Sequence, residues 1–151
     1  MITIRFTNQE DLPGLLPLMT QLGYPCTPEK LENYFNSFVK LDGYGVAVDC
    51  DESKIVGWIA WSKSKPFVVN KTRFHLEGIV VDASYRGQGI GKKLMFFLEE
   101  ISKQSGSVII DLCSGLRRAK DGTHEFYKSL GYRNEGPMAK LYLRKEINLK
   151  M

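Results

Sequence analysis

The feature that most constrains this chain is Arg86-Gly87-Gln88-Gly89-Ile90-Gly91, which joins a β-like run ending Ile79-Val80-Val81-Asp82 to a stretch of helical periodicity. Glycine at the start of a helix costs conformational entropy, so a cluster of three needs a reason. Glycines let main-chain N–H groups converge on one point, and the first turn of a helix adds partial positive charge. Arg86 and Lys92 add whole charges, so an anion, phosphate foremost, is the natural occupant. The spacing excludes two familiar nucleotide loops. A dinucleotide fingerprint needs Gly-x-Gly-x-x-Gly, and here the third glycine comes one residue early. A P-loop needs a glycine where Arg86 stands and Ser or Thr where Lys93 stands.

The elements around the cluster set the fold class. Ile2, Ile4 and Phe6 alternate with polar residues like a half-buried strand. Thr7 and Glu10 read as a capping box for a helix carrying Leu12, Leu15, Leu16, Met19 and Leu22, with Pro17 expected to kink or split it and Gly23 to stop it. Thr27-Pro28-Glu29 opens a second helix that ends near Asp42-Gly43. Strands are expected over Tyr44 to Val48, Lys54 to Ser62, Arg73 to Val81 and Val108 to Cys113. Helices are expected from Ile90 through Ile101 and from Thr123 to Leu130, and closing strands at Tyr132 to Asn134 and Ala139 to Arg144. This order predicts an α+β fold, a mixed and mostly antiparallel sheet flanked by helices. The 151 residues contain no repeat or linker, so one domain over 1–151 is expected.

Charge is lopsided. The net +4 divides into −2 over residues 1–85 and +6 over 86–151, so the positive excess begins at the glycine cluster and favours an anionic ligand. No basic run of five or six residues points to nucleic acid, and no apolar run approaches the ~20 residues of a membrane span. The first residues lack the layout of a signal peptide. Cys26, Cys50 and Cys113, odd in number and widely spaced, read as free thiols in a reducing, cytoplasmic setting. Two lone histidines and scattered acids form no metal-ligand cluster.

The run from His75 to Met95, and above all Arg86-x-x-Gly89-x-Gly91 after a strand, resembles the pyrophosphate-binding signature of the GNAT superfamily of acetyl-CoA-dependent N-acetyltransferases. A second block, His124 to Arg133, resembles that family's motif of a tyrosine followed by Leu-Gly-Tyr. The resemblance spans nearly the whole chain and implies the GNAT fold, acetyl-CoA as co-substrate, no metal, and direct transfer of an acetyl group to a primary amine.

The resemblance also implies roles for particular residues. Amides of Arg86, Gly87, Gln88, Gly89, Ile90, Gly91 and Lys92 would bind the pyrophosphate, and Ile79, Val80 and Val81 would pair with the pantetheine arm like an added strand. One of these amides would polarise the thioester carbonyl. Tyr127 matches the tyrosine that protonates the departing sulfur, a sensible task for a phenol of pKa ~10. Glu77 is the foremost base candidate; it takes the amine proton directly or through water, or holds a cationic substrate. His75, two residues earlier, is an alternative base. Ser114 is placed to hydrogen-bond the cofactor arm, Arg117, Arg118 and Lys120 either meet the 3′-phosphate or form a solvated loop, and Cys113 is expected in the core.

Tyr24, Tyr34, Phe35, Phe38, Trp58 and Trp61 are candidates for lining an acceptor pocket. The expected partner is a small-molecule amine, favoured as cationic by Glu77 and the acidic first half, with no nucleic acid or membrane; a homodimer stays open. The rival class is a catalytically weak acyl-CoA-binding sensor or regulatory module.

Overall fold

The computed structural model describes residues 1–114 and 122–149. They fall into two compact units, Met1–Leu112 and Cys113–Met151. The first unit is a five-stranded sheet in sequential order: β1 (Ile2–Phe6), β2 (Gly45–Asp51), β3 (Lys54–Ser64), β4 (Thr72–Val81) and β5 (Val108–Asp111). The first three pairings are antiparallel and the last, β4 with β5, is parallel. That mixture is the expected α+β architecture.

Helices α1 (Leu12–Leu22) and α2 (Pro28–Val39) cover one face, packing Leu12, Leu15, Leu18, Leu31 and Phe35 against Val46, Val48, Trp58 and Val80. Helix α3 (Ile90–Ser102) covers the other, with Ile90, Leu94, Met95 and Leu98 buried and Phe97 packed edge-on to Phe6 and tilted against Trp61. Each fully buried side chain of this size contributes ~1.5–3 kcal/mol of transfer free energy.

Two bulges set which side chains face which layer. Cys50 pairs with Ile55 and Asp49 with Gly57, so Val56 is an extra residue in β3; Trp61 pairs with Leu76 and Ala60 with Gly78, so Glu77 is an extra residue in β4. One extra residue inverts the in–out alternation beyond it. Leu76 therefore shares the α3 face with Trp61, while Val80 shares the α1–α2 face with Trp58.

The sequence expectations hold at most elements and fail at a few. Helix α1 starts later than the Thr7 cap implied: Asn8 leads a 3-10 turn, Gln9–Asp11, and its N–H donates to the Asp11 carboxylate at 2.8 Å. Pro17 does not split the helix, which runs unbroken to a left-handed Gly23. Thr27 caps α2, accepting from the Lys30 N–H at 3.2 Å. The strands expected at 132–134 and 139–144 are not formed. The Asn134 carboxamide instead accepts from the Lys140 N–H at 2.8 Å, and Leu141, Tyr142 and Leu143 are exposed. Alternation marks a strand only where an edge is there to receive it, and here a side chain takes the backbone group that a ladder would use. Cys113 is exposed rather than core, because β5 ends two residues before it.

Candidate active site

The site in the first unit is built around the outer edge of β4. Parallel pairing with β5 runs from Thr72↔Val108 to His75↔Asp111 and stops. From Leu76 to Val81 β4 keeps β3 on one side, and no strand of this unit pairs its other edge. Backbone groups on such an edge need a partner, and an extended ligand can supply it. Ile79, Val80 and Val81 all lie on this stretch.

At the end of the open edge the chain turns into the glycine loop. Asp82 donates its N–H to Val56 O at 2.8 Å and its carboxylate caps the turn Ala83–Tyr85, accepting from the Ser84 N–H and hydroxyl. Those two bonds hold the Asp82 carboxyl below its usual range. The Tyr85 hydroxyl donates to Asp51 at 3.0 Å, with Lys54 5.1 Å from the centre of its ring. Arg86 Nε donates back to Val81 O at 3.3 Å. The loop is therefore braced on β2 and β3 before it reaches its glycines.

Gly87 and Gly89 have φ of +82° and +80°, values that side-chain-bearing residues rarely adopt, and a Cβ on either would meet nothing within 4 Å. Backbone conformation, not crowding, demands glycine there. Gly89 is also the N-cap of α3 and offers no side chain to its first-turn amides. The amides of Ile90, Gly91 and Lys92 are left for water or an anion. This arrangement fits a diphosphate.

On the α1–α2 face, where β4 and β5 part, five polar side chains meet. Ser62, 8% exposed, donates to Glu77 Oε2 at 2.7 Å. Arg73 Nε donates to Asp111 Oδ2 at 2.6 Å, and His75 Nδ1 lies 2.6 Å from Asp111 Oδ1. Burial pushes the Asp111 carboxyl up, but the bonds from Arg73 and His75 outweigh it and hold the group below its usual range. Glu77 is exposed, as expected of a bulge residue at a strand edge. Ser62, Arg73 and Asp111 were not singled out for the site from sequence; Asp111 alone carried a signal, as the one acid in an apolar strand.

Asp49 was missed as well. It is fully buried on β2, on the α3 face with Gly57, and neither carboxylate oxygen has a hydrogen-bond partner among the described residues. Burial pushes its pKa up to about 6, with Lys93 pulling the other way.

The aromatic candidates separate. Trp58 and Phe35 belong to the α1–α2 core; Trp61 is on the opposite face under α3, away from Glu77; Tyr24 and Tyr34 are exposed; Phe38 packs edge-on against Tyr44. The second unit holds Ser114, partly buried, and helix α4 (Thr123–Ser129). Tyr127 is buried there, its ring edge-on to Phe126 and Tyr132. Arg117, Arg118 and Lys120 lie outside the described residues. Among the described residues no group of three or more His, Cys, Asp or Glu could hold a metal ion, and no helix is long and apolar enough to cross a membrane.

An uncharacterized N-acetyltransferase of Methanocaldococcus jannaschii is 33% identical over 94% of this chain and 65% of its own length. A glucosamine 6-phosphate N-acetyltransferase of Trypanosoma brucei brucei is 43% identical over 39% of this chain and 37% of its own. The chain thus spans about two thirds of the first relative and little more than a third of the second. A crystal structure of a GNAT family acetyltransferase from Staphylococcus aureus superposes with a TM-score of 0.79 at 25% identity, over 97% of this chain and 98% of that one. Residues 13–132 match the model of the Acetyltransferase (GNAT) family from within α1, through the split strand and the glycine loop, to the tyrosine helix, and the chain belongs to that family.

Proposed function

We propose that this chain moves an acetyl group from acetyl-CoA to the primary amine of a small molecule, by direct attack in a ternary complex. The single observation that carries this reading is the open edge of β4 from Leu76 to Val81, leading from a glycine-capped helix start to the Glu77 bulge. The diphosphate of the coenzyme is assigned to the amides from Arg86 to Lys92 and the pantetheine arm to Ile79, Val80 and Val81, with Ser114 as a further contact to the arm. The bound thioester supplies an acetyl group whose carbonyl a β4 amide polarises. Glu77 attracts the cationic amine, and Tyr127 is the donor of a proton to the departing sulfur. The unbroken family match across 13–132 supports reading both units as one N-acetyltransferase domain. The three free cysteines are in keeping with a cytoplasmic setting.

The test is an acceptor panel: acetyl-CoA with amino sugars, polyamines, amino acids and a peptide amine, followed by release of free thiol. Glucosamine 6-phosphate comes first in the panel, because a relative of this chain carries that name. Turnover with at least one amine is expected. Tyr127→Phe should then slow kcat by ~100-fold, with CoA affinity nearly unchanged. Tight CoA binding with no turnover on any amine would overturn the enzyme reading in favour of an acyl-CoA sensor.

A further inference from the structure

The strongest group that the reading above leaves unused is His75. It ends the parallel ladder opposite Asp111 and stands directly across from Ser62, on the same face as Glu77. Asp111 is ionised beside Arg73 and can only accept hydrogen bonds, so the 2.6 Å approach of its Oδ1 places a proton on His75 Nδ1. The Arg73 Nη2 atom, 2.9 Å from the same nitrogen, is then a second donor in contact and not a partner. Nε2 is left as a lone-pair acceptor with no partner among the described residues, on a ring whose side chain is 23% exposed. A carboxylate that fixes one ring nitrogen and leaves the other basic is the arrangement that makes an imidazole a general base. Among the described residues, the charged and titratable groups around the ring are Arg73 and Glu77 from β4 and Asp111 from β5, with the Ser62 hydroxyl, which holds Glu77, from β3. Of these groups the two carboxylates outnumber the guanidinium, which suits an ammonium more than an anion.

We propose that His75 takes the proton from the acceptor amine at the fork between β4 and β5, with Asp111 and Arg73 as positioning residues and Glu77 holding the ammonium. This rests on the acetyl-transfer reading. The protonated amine gives a proton to Nε2, and its freed lone pair forms the C–N bond to the acetyl carbon. The C–S bond breaks and the thiolate leaves with a proton from Tyr127; the second proton of the acylated nitrogen passes through solvent to restore the Tyr127 phenol, and the imidazolium returns its proton to water.

Two measurements decide the matter. The chain has only two histidines, His75 and His124, so a long-range proton–nitrogen NMR spectrum, assigned with His75→Gln, reads the His75 tautomer without any acceptor. The proton is expected on Nδ1 in the wild type, with that preference lost in Asp111→Asn; a proton on Nε2 in the wild type overturns the proposal. Kinetics follow with the amine that turns over fastest in the panel. His75→Gln should lower kcat/KM for that amine by ~100-fold near pH 7, the deficit shrinking toward pH ~10 as the amine loses its own proton. Asp111→Asn should lower it by ~10-fold or more with CoA affinity retained. Wild-type turnover that survives in His75→Gln, or a deficit that does not change with pH, overturns this proposal alone. Absence of turnover on every amine overturns the acetyl-transfer reading and this one with it.

Discussion

From Arg73 to His75, β4 is laddered to β3 on one side and β5 on the other, and the carboxylate on the facing strand, Asp111, is met by Arg73 and His75. From Leu76 to Val81 one edge has no strand partner in the first unit. The acid in the same cross-strand row as Val81, Asp49, is buried without a hydrogen bond. The contrast separates two uses of one strand. In the paired half the Asp111 carboxylate is answered from within the fold on both oxygens, which fixes positions. In the open half main-chain groups and a buried charge go unanswered, which costs stability and leaves something for a ligand to use.

The comparison can be broken first at the end of the open half. Gly89→Val puts a β-branched side chain at φ +80° and in the space above the loop. The affinity for CoA should fall on the order of a hundredfold or more by calorimetry, with the circular dichroism of the fold retained. Unchanged affinity would remove the anion role of the loop.

A smaller effect is expected at Asp49. Its carboxyl, pushed up to about 6 in the folded chain, holds a proton more tightly than the unfolded chain does. Its charge therefore lowers stability above that pH, and the penalty fades as pH falls toward ~4. Asp49→Asn should raise the unfolding free energy by ~1–3 kcal/mol at pH 7.5 and by much less at pH 4.5, read from urea melts at the two values. Equal gains at both would show that the charge is not the cause.

The smallest effect belongs to the paired half. Arg73→Met removes a bond to a carboxylate that is 42% exposed, so solvent screening limits the loss to ~1 kcal/mol or less and a melting shift of ~2–4 °C. Asp111 is held below its usual range, so that loss should be full at neutral pH and disappear as acid protonates the group. A larger loss would mean that the paired half carries more of the fold than its one ion pair suggests.

How much of this could be read from sequence varies with its physical origin. Gly87 and Gly89 were readable because the positive φ they adopt excludes nearly every other residue. Gly23 and Thr27 announced a helix end and a helix start for local reasons that tertiary packing leaves alone. The partition of Leu76 and Val80 between faces was not readable, since it depends on an extra residue at Glu77 that only pairing with β3 reveals. Pro17 looked like a break, but α1 packs Leu15 and Leu18 into the core and the helix persists around the missing donor. In sequence Asp111 stands out as the one acid in an apolar strand, while Asp49, followed by Asp51 and Glu52, reads as the start of a polar turn. Only the fold gives one of them an arginine and leaves the other bare.

The bulge at Glu77 has a consequence for how such a strand changes over generations. Because Glu77 is surplus to the pairing, removing it would restore simple alternation and turn Val80 from the α1–α2 layer toward α3. The layering of this strand thus hangs on a residue gained or lost, more than on one exchanged for another. A catalogue of single substitutions through this strand would never sample that shift of register.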